Sequence, residues 1–427
     1  MSIEVVEARY TEAAFSIQTI KEKSYSIEEI IAIIKKYYPG LESALLACLA
    51  VCGSMSLKGR TKPLSLIFEG SSGNGKSATL QMLFPEKGSK AEGYIYRSDR
   101  FTPKSFVSHA ANVSKEELDS IDMLPKIQNK ILVTKELAPL FRGRVEDLKE
   151  NISILISVLD GKGFTSDSGM RGRRGYLNTI LFNWLGATTP LPASTHRIMS
   201  QLGTRLLFFE IDSVELTDDE LLAYAERDDV GEAEIICNDA VNKFPLSYFE
   251  RNEVETIERD SIVFSKEYLR QLVRWARLIV EGRKEVKFDA DSDLPIAAVQ
   301  AEGAWKVIDY LKDLARGHAL IHGRTEIDDS DLELLGHIAI SSIPGHLRPI
   351  VKELRVMDSV DSTQCENLCR VSRPTARKYM KELDVLGIAT MIQGRRETND
   401  SHIIGLADNY SWLKEKPENE MGCVVKE

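Results

Sequence analysis

Residues 64–77 constrain the fold of this chain more than any other stretch. Leu64-Ser-Leu-Ile-Phe68 is a short apolar run with strand character, and it leads straight into Gly70-Ser71-Ser72-Gly73-Asn74-Gly75-Lys76-Ser77. A helix is expected from Lys76 through Ala78 to about Leu83. In a strand–turn–helix unit of this kind the glycines let backbone N–H groups turn inward, and the helix adds the positive end of its dipole. The product is a cradle for phosphate. Lys76 supplies a point charge to the terminal phosphates, and Ser77 offers a hydroxyl to magnesium. The pattern implies ATP with Mg2+, held by residues 70–78.

The chain around this unit alternates strand and helix. Tyr94-Ile-Tyr96, Ile131-Leu-Val-Thr134, Thr179 to Leu185 and Leu206-Leu-Phe-Phe209 have strand patterns. Val145, Leu148, Ile152, Leu155 and Leu159 recur at three- and four-residue steps, so 145–159 is expected as an amphipathic helix. Such alternation implies an α/β domain with a mostly parallel sheet.

At 427 residues the chain is long enough for two or three domains. With 43% hydrophobic and 28% charged residues it has an ordinary globular composition. No apolar run approaches the roughly 18 residues of a membrane span, and the first residues lack the pattern of a signal peptide. A cytoplasmic protein without membrane contact is expected. The net charge of −10 argues against a uniformly basic coat for nucleic acid and leaves room for local basic patches. Cys48/Cys52 and Cys365/Cys369 are spaced by four in apolar, helix-like stretches and are expected as buried thiols. His318 and His322, also one turn apart, are expected to be structural.

Five segments are expected. They are an N-terminal helical segment (1–60, with Ser26 before Glu28 and Glu29 as a helix start), a nucleotide-binding core (61–212), and a helical lid reached through an acidic, linker-like stretch (213–346). A C-terminal module (347–415) and a disordered charged tail (416–427) complete the chain.

Hydrolysis requires an acid at the tip of a neighbouring strand to orient water. The strand 131–134 ends in Lys135-Glu136, which makes Glu136 the candidate. Lys135 stands where a second acid is usual, and the absence of that acid is expected to weaken metal binding and slow turnover. The next strand ends in Gly186-Ala-Thr-Thr-Pro190. Thr189, with Thr188 second, is placed to touch the γ-phosphate or the attacking water. Arg205 precedes the last strand and is suited to reach the nucleotide of an adjacent subunit; the alternative is a salt bridge within its own chain. Arg142, Arg144 and Arg197 are lesser candidates.

This order of parts resembles the AAA+ ATPases over about residues 64–340, and within them the MCM-like and superfamily-three helicases of viruses and mobile elements. The resemblance implies an α/β fold with an AAA+ P-loop core, a helical lid and assembly into a homo-oligomer, most often a hexameric ring. It also implies a basic β-hairpin within Lys162 to Tyr176, with Lys162, Arg171, Arg173 and Arg174 contacting DNA. The alternative is a solvated loop or a contact between subunits. Lys306 falls near the place of a nucleotide-sensing lid arginine, with Arg316 and Arg324 as competitors.

Residues 347–415 read as a winged helix. Val371 to Leu383 begins with Ser372 as a cap and Pro374 in the first turn. The helix presents Arg373, Arg377, Lys378 and Lys381, and Gly387 ends it. Between 370 and 397, seven basic residues (370, 373, 377, 378, 381, 395, 396) face three acidic ones (382, 384, 397). That local surplus suits a DNA-facing helix. The expected function is an ATP-hydrolysing protein acting on DNA, most readily an MCM-like helicase or translocase. The alternatives are a non-motor AAA+ initiator, loader or transposition-type regulator, and an ATP-binding scaffold whose winged helix recruits a protein.

Overall fold

The computed structural model describes residues 25–414 except 86, 109–113, 115–116, 118–119, 142–143, 169–171, 192–202, 213–216, 227–229, 253, 290–294, 299–302 and 393–401. Five apolar runs form one parallel sheet: β1 (Leu64–Glu69), β2 (Ile95–Arg97), β3 (Ile131–Thr134), β6 (Asn183–Thr188) and β7 (Leu207–Glu210), in the order β2-β3-β6-β1-β7. The fourth expected strand lies four residues later than its apolar run suggested. Residues 179–182 approach the sheet without pairing, and Asn183 starts the ladder opposite Leu64 and Ile131. Asn183 is fixed there because its amide bonds Val51 O and Ser54 Oγ while its Oδ1 accepts from Arg60 and from the Leu64 N–H.

Strand side chains alternate between faces, and the two faces feed two apolar cores. Leu64, Leu66, Phe68, Val133, Leu185, Leu207 and Phe209 point into one. Ile67, Leu132, Phe182, Trp184 and Phe208 point into the other. Burial on both faces is why these strands read as continuous apolar runs.

Helices cover the first face. α1 (Ile27–Tyr37) starts where expected, after Ser26, with a capping box closed by Glu29. α2 (Glu42–Gly53) is buried nearly all round, and α3 (Lys76–Gln81) follows the glycine-rich loop. The second face takes α4 (Met123–Ile127) and α5 (Val145–Leu159), the latter as its periodicity predicts. After α5 comes an antiparallel hairpin of β4 (Phe164–Ser168) and β5 (Gly172–Tyr176).

The stretch expected to be linker-like is in fact largely helical, with α6 (Asp218–Ala225) and the long α7 (Val230–Asn252). Cys237, Ala240, Val241 and Phe244 of α7 are buried in the first core, so tertiary packing overrides its weak amphipathic pattern. α8 (Lys266–Gly282), α9 (Trp305–Ile321) and α10 (Asp329–Ser341) complete the helical layer. A small hairpin, β8 (Val286–Phe288) with β9 (Pro295–Ala298), lies between α8 and α9 in the chain.

The last section is α11 (Arg348–Val356), β10 (Val360–Asp361), α12 (Ser362–Cys369), α13 (Arg373–Val385), β11 (Ala389–Ile392) and β12 (Ile403–Leu406). Its three strands form an antiparallel sheet in the order β10-β12-β11. Gly387, at φ 69°, ends α13 as expected. Ser372 sits at the N-cap of α13, but its hydroxyl bonds Thr375 Oγ1 rather than a backbone N–H. Ile350, Val351 and Leu354 join the same core as the sheet, so this section is packed onto the rest of the molecule.

No described helix is long and apolar enough to cross a membrane. Cys48, Cys52, Cys237 and Cys365 are buried thiols, and burial pushes Cys52 up to about 12.

α2 and α9 cross closely. The Gly53 and Gly317 backbones meet there, and a Cβ on Gly317 would overlap the Ala50 carbonyl oxygen. Alanine normally favours a helix over glycine by about 1 kcal/mol. Here the overlap forces the helices apart, so Gly317→Ala is expected to destabilise by about 1–3 kcal/mol in urea unfolding. A stabilised variant would show that the crossing is not close.

Candidate functional site

The glycine-rich loop leaves β1 at the carboxyl edge of the sheet, where open parallel sheets bind ligands. Gly75 holds φ 81° immediately before α3, and a Cβ there would also strike Leu41. Ser71, Ser72, Gly73 and Ser77 are exposed, while Lys76 is 7% exposed. Its ammonium donates to Ser71 O at 2.5 Å, folding the side chain back over the loop. Burial lowers the Lys76 pKa, and nearby Glu136 and Glu69 partly oppose this. Asn74 Nδ2 donates to Ile211 O at 3.2 Å and ties the loop to the end of β7. Ala78 follows inside α3, half-buried.

Strand pairing brings the expected residues to one edge. Glu69 is opposite Thr188, and Thr134 is opposite Gly186, so Glu136 stands level with the tip of β6. Glu136 is exposed, and its Oε1 accepts from the Ala138 N–H at 2.8 Å, which fixes its direction. Thr188 is fully buried and donates to Thr189 O, whereas Thr189 is only half-buried. Of the two threonines, Thr189 is the one open to a ligand. Lys135 lies 4.9 Å from the Phe84 ring centroid, beside Arg97 on the same ring.

Arg205 lies at the opposite edge of the sheet, because β7 runs parallel to β1 and Arg205 precedes it. Its guanidinium makes a two-pronged contact with Asp160, with both bonds at 3.1 Å. Lys306 Nζ is 3.6 Å from the same carboxylate. Burial alone would raise the Asp160 pKa, but Arg205 and then Lys306 hold it below the usual range. The two cations assigned related roles from sequence therefore share one carboxylate at the end of α5. Arg316 instead lies over Phe264, and Arg324 bonds Asp331 and Asp328. Arg144 is exposed ahead of α5; Arg142 and Arg197 lie outside the described residues.

The β4–β5 hairpin divides its charges by strand alternation. Arg173 and Lys162 are exposed. Arg174 points inward and pairs with Asp122, whose side chain is fully buried, and Tyr176 donates to the same carboxylate. Freeing Arg174 for a phosphate would strand a buried charge, at a cost of about 3–5 kcal/mol. The expectation that Arg174 contacts DNA is therefore corrected: it anchors the hairpin. Arg171 lies outside the described residues.

On α13, Arg373 pairs with Glu366 at 3.3 Å and donates to Thr363, and Lys378 lies 4.5 Å from the Phe288 ring centroid. Arg377 and Lys381 are half-buried. β9 packs against α13, so this basic helix is partly covered by its own chain. Arg395 and Arg396 lie outside the described residues.

Sequence reasoning passed over a cavity and two acids. A cavity of 730 Å³ is lined among others by Leu46, Phe209, Trp275, His337 and Arg355. Asp212, which also lines it, follows the Ile211 whose carbonyl holds Asn74 of the loop. Its walls come from α2, α8, α10 and α11, too far apart in sequence for any local pattern to reveal. The acids are Glu69 and Glu210, the last residues of β1 and β7. Glu69 is 1% exposed. The only sequence signal for it was an acid directly before the first loop glycine. Among the described residues, no group of three or more His, Cys, Asp or Glu is arranged to hold a metal ion.

No protein-family model matches this chain, and no curated protein matches it.

Burial lowers the pKa values of His322 and His337, both at the cavity. His337 donates Nε2–H to Glu210 O at 2.9 Å and lies against Phe209, which holds the neutral ring in place. The unfolded chain therefore binds protons at a higher pH than the folded one. Their contribution is complete above pH 6.5 and falls as the pH drops through that value towards the depressed native pKa. The melting temperature is expected to decline between pH 7.5 and 5.5, and less steeply in His322→Gln/His337→Gln. An unchanged slope in the double variant would assign the pH dependence to other groups.

Proposed function

We propose that this chain is an AAA+-type ATPase that acts on DNA as an oligomer, most readily an MCM-like helicase or translocase, and that its C-terminal section is a winged helix. One observation carries the proposal. The glycine-rich loop, its buried Lys76 and the tip acid Glu136 are brought to one sheet edge, with β6 between the strands that bear them. The order β2-β3-β6-β1-β7 supports the AAA+ assignment, as do the hairpin after α5 and the helical layer following the sheet. Helix α12, helix α13 and a three-stranded sheet support the winged helix.

In this reading the loop N–H groups and Lys76 bind the triphosphate. Exposed Ser77 and Glu136 suit a magnesium ion and its water shell, and the ion supplies neutralisation of phosphate charge. Glu136, held by the Ala138 N–H, orients the attacking water, and half-buried Thr189 stands beside it. Arg205 and Lys306 lie at the far edge, held in their own chain by Asp160, and the salt-bridge role weighed for Arg205 is the one this geometry supports. Lys162 and Arg173 are the exposed hairpin charges through which DNA is engaged.

A second reading, a non-motor regulator, is favoured by the state of α13. Its Arg373 and Lys378 already have partners within the chain, and Lys135 occupies the place of a second acid.

Glu136→Gln is expected to keep ATP binding and lose ATPase activity by about 100-fold or more, measured by phosphate release and by titration of a fluorescent ATP analogue. Single-stranded DNA is expected to stimulate the wild type, and Lys162→Glu/Arg173→Glu to abolish that stimulation while basal turnover survives. Turnover indifferent to DNA, with no strand displacement, would remove the motor reading and leave the regulator.

A further inference from the structure

Glu69 is chemically out of place. A carboxylate at the root of a loop built for polyanions opposes its ligand, and in a buried setting water screens it poorly. Its side chain is 2% exposed. Oε1 accepts from the Leu191 N–H at 2.9 Å, and Oε2 lies 2.5 Å from Nη1 of Arg348, itself 3% exposed.

Arg348 is the first residue of α11. It also lies 3.5 Å from Glu210, and its Nε donates to Ile343 O at 2.6 Å. One turn on, Lys352 meets Glu210 at 2.8 Å and Asp212 at 3.0 Å. One helix thus presents two cations to the acidic tips of the two adjacent strands, β1 and β7. The Glu69 charge also acts on Lys76, so an uncompensated Glu69 would compete with phosphate for that ammonium.

We propose that Arg348 is a positioning residue that neutralises Glu69, so that the loop binds a triphosphate tightly only while α11 is docked against β1. The inference rests on the nucleotide-binding reading of the loop and adds its regulation. Because coupling is reciprocal, bound triphosphate would in turn hold α11, and with it the C-terminal section, in place. Any event that lifts α11 would weaken the grip on nucleotide. Glu69 supplies the penalty and Arg348 its release.

The test is titration of the full chain with magnesium and the fluorescent analogues mant-ATP and mant-ADP. Arg348→Met removes the cation in contact with the acid, leaving the more distant Arg283 and Lys76 to act on it. This variant is expected to weaken mant-ATP on the order of tenfold, the effect of a unit charge roughly 10 Å away. The loss for mant-ADP should be smaller, because it carries less charge. Glu69→Gln/Arg348→Met removes both charges and should return within about threefold of wild type.

Wild-type affinity in Arg348→Met would overturn the proposal. So would a double variant as weak as Arg348→Met, which would mean that Arg348 touches the phosphates directly. If Arg348→Met fails to fold by circular dichroism, the comparison moves to the double variant against the wild type. Affinity within about threefold is then expected, and a loss of about tenfold overturns the proposal. Absence of mant-ATP binding by the wild type would instead sink the nucleotide reading itself.

Discussion

The pairing of β1 on both edges, with β6 on one side and β7 on the other, is the constraint on which the rest of the structure depends. A strand in that position is buried on both faces, and its alternate side chains feed two separate cores. Its carboxyl end must emerge at the sheet edge between two other strand tips. The glycine-rich loop is therefore presented beside Thr188 and Glu210, with Glu136 one strand further away. Burial also extends to the tip of β1, so Glu69 cannot rely on water and requires a counter-charge. Arg348, from the far end of the sequence, lies in contact with Glu69, and Arg283 and Lys76 act on the same charge.

The molecule sorts its arginines by the cost of burying charge. Arg174, Arg205 and Arg348 are each nearly buried, and each faces a carboxylate. Arg283, buried against Phe208 and near Arg348, bonds the Ser342 and Gly203 carbonyls instead, and burial pushes its pKa down to about 9. Exposed cations such as Lys162 and Arg173 are the ones open to an outside partner. This division bears on the two functional proposals. The β4–β5 hairpin keeps open charges, whereas α13 has turned several of its own towards its own chain.

Much of the α/β core was legible in sequence because its signals are local. A β-prone apolar run, a Gly-x-x-x-x-Gly-Lys-Ser turn and a three-and-four periodicity each involve neighbours in the chain. Ser26 with Glu29, Gly387 and the 145–159 stripe belong to the same class. Helix α7 was missed because its surface acids and sparse apolar pattern resemble a linker, and only burial of Cys237 and Val241 makes it a packed helix. Arg174 was misassigned because composition marks a basic hairpin without saying which of two adjacent arginines faces inward. A single step along a strand decides that.

The sequence by itself determined that residues 64–77 form a strand, a glycine-rich turn and a helix start, since those preferences reside in the backbone of the residues involved. It also determined which strand ends carry Glu136 and Thr189. Only the tertiary structure decided what stands around them. Strand order set Glu136 level with the loop, helix packing shaped the cavity, and the docking of α11 brought Arg348 to Glu69. Those outcomes depend on contacts between residues far apart in the chain, and such contacts leave no periodic trace in a single sequence.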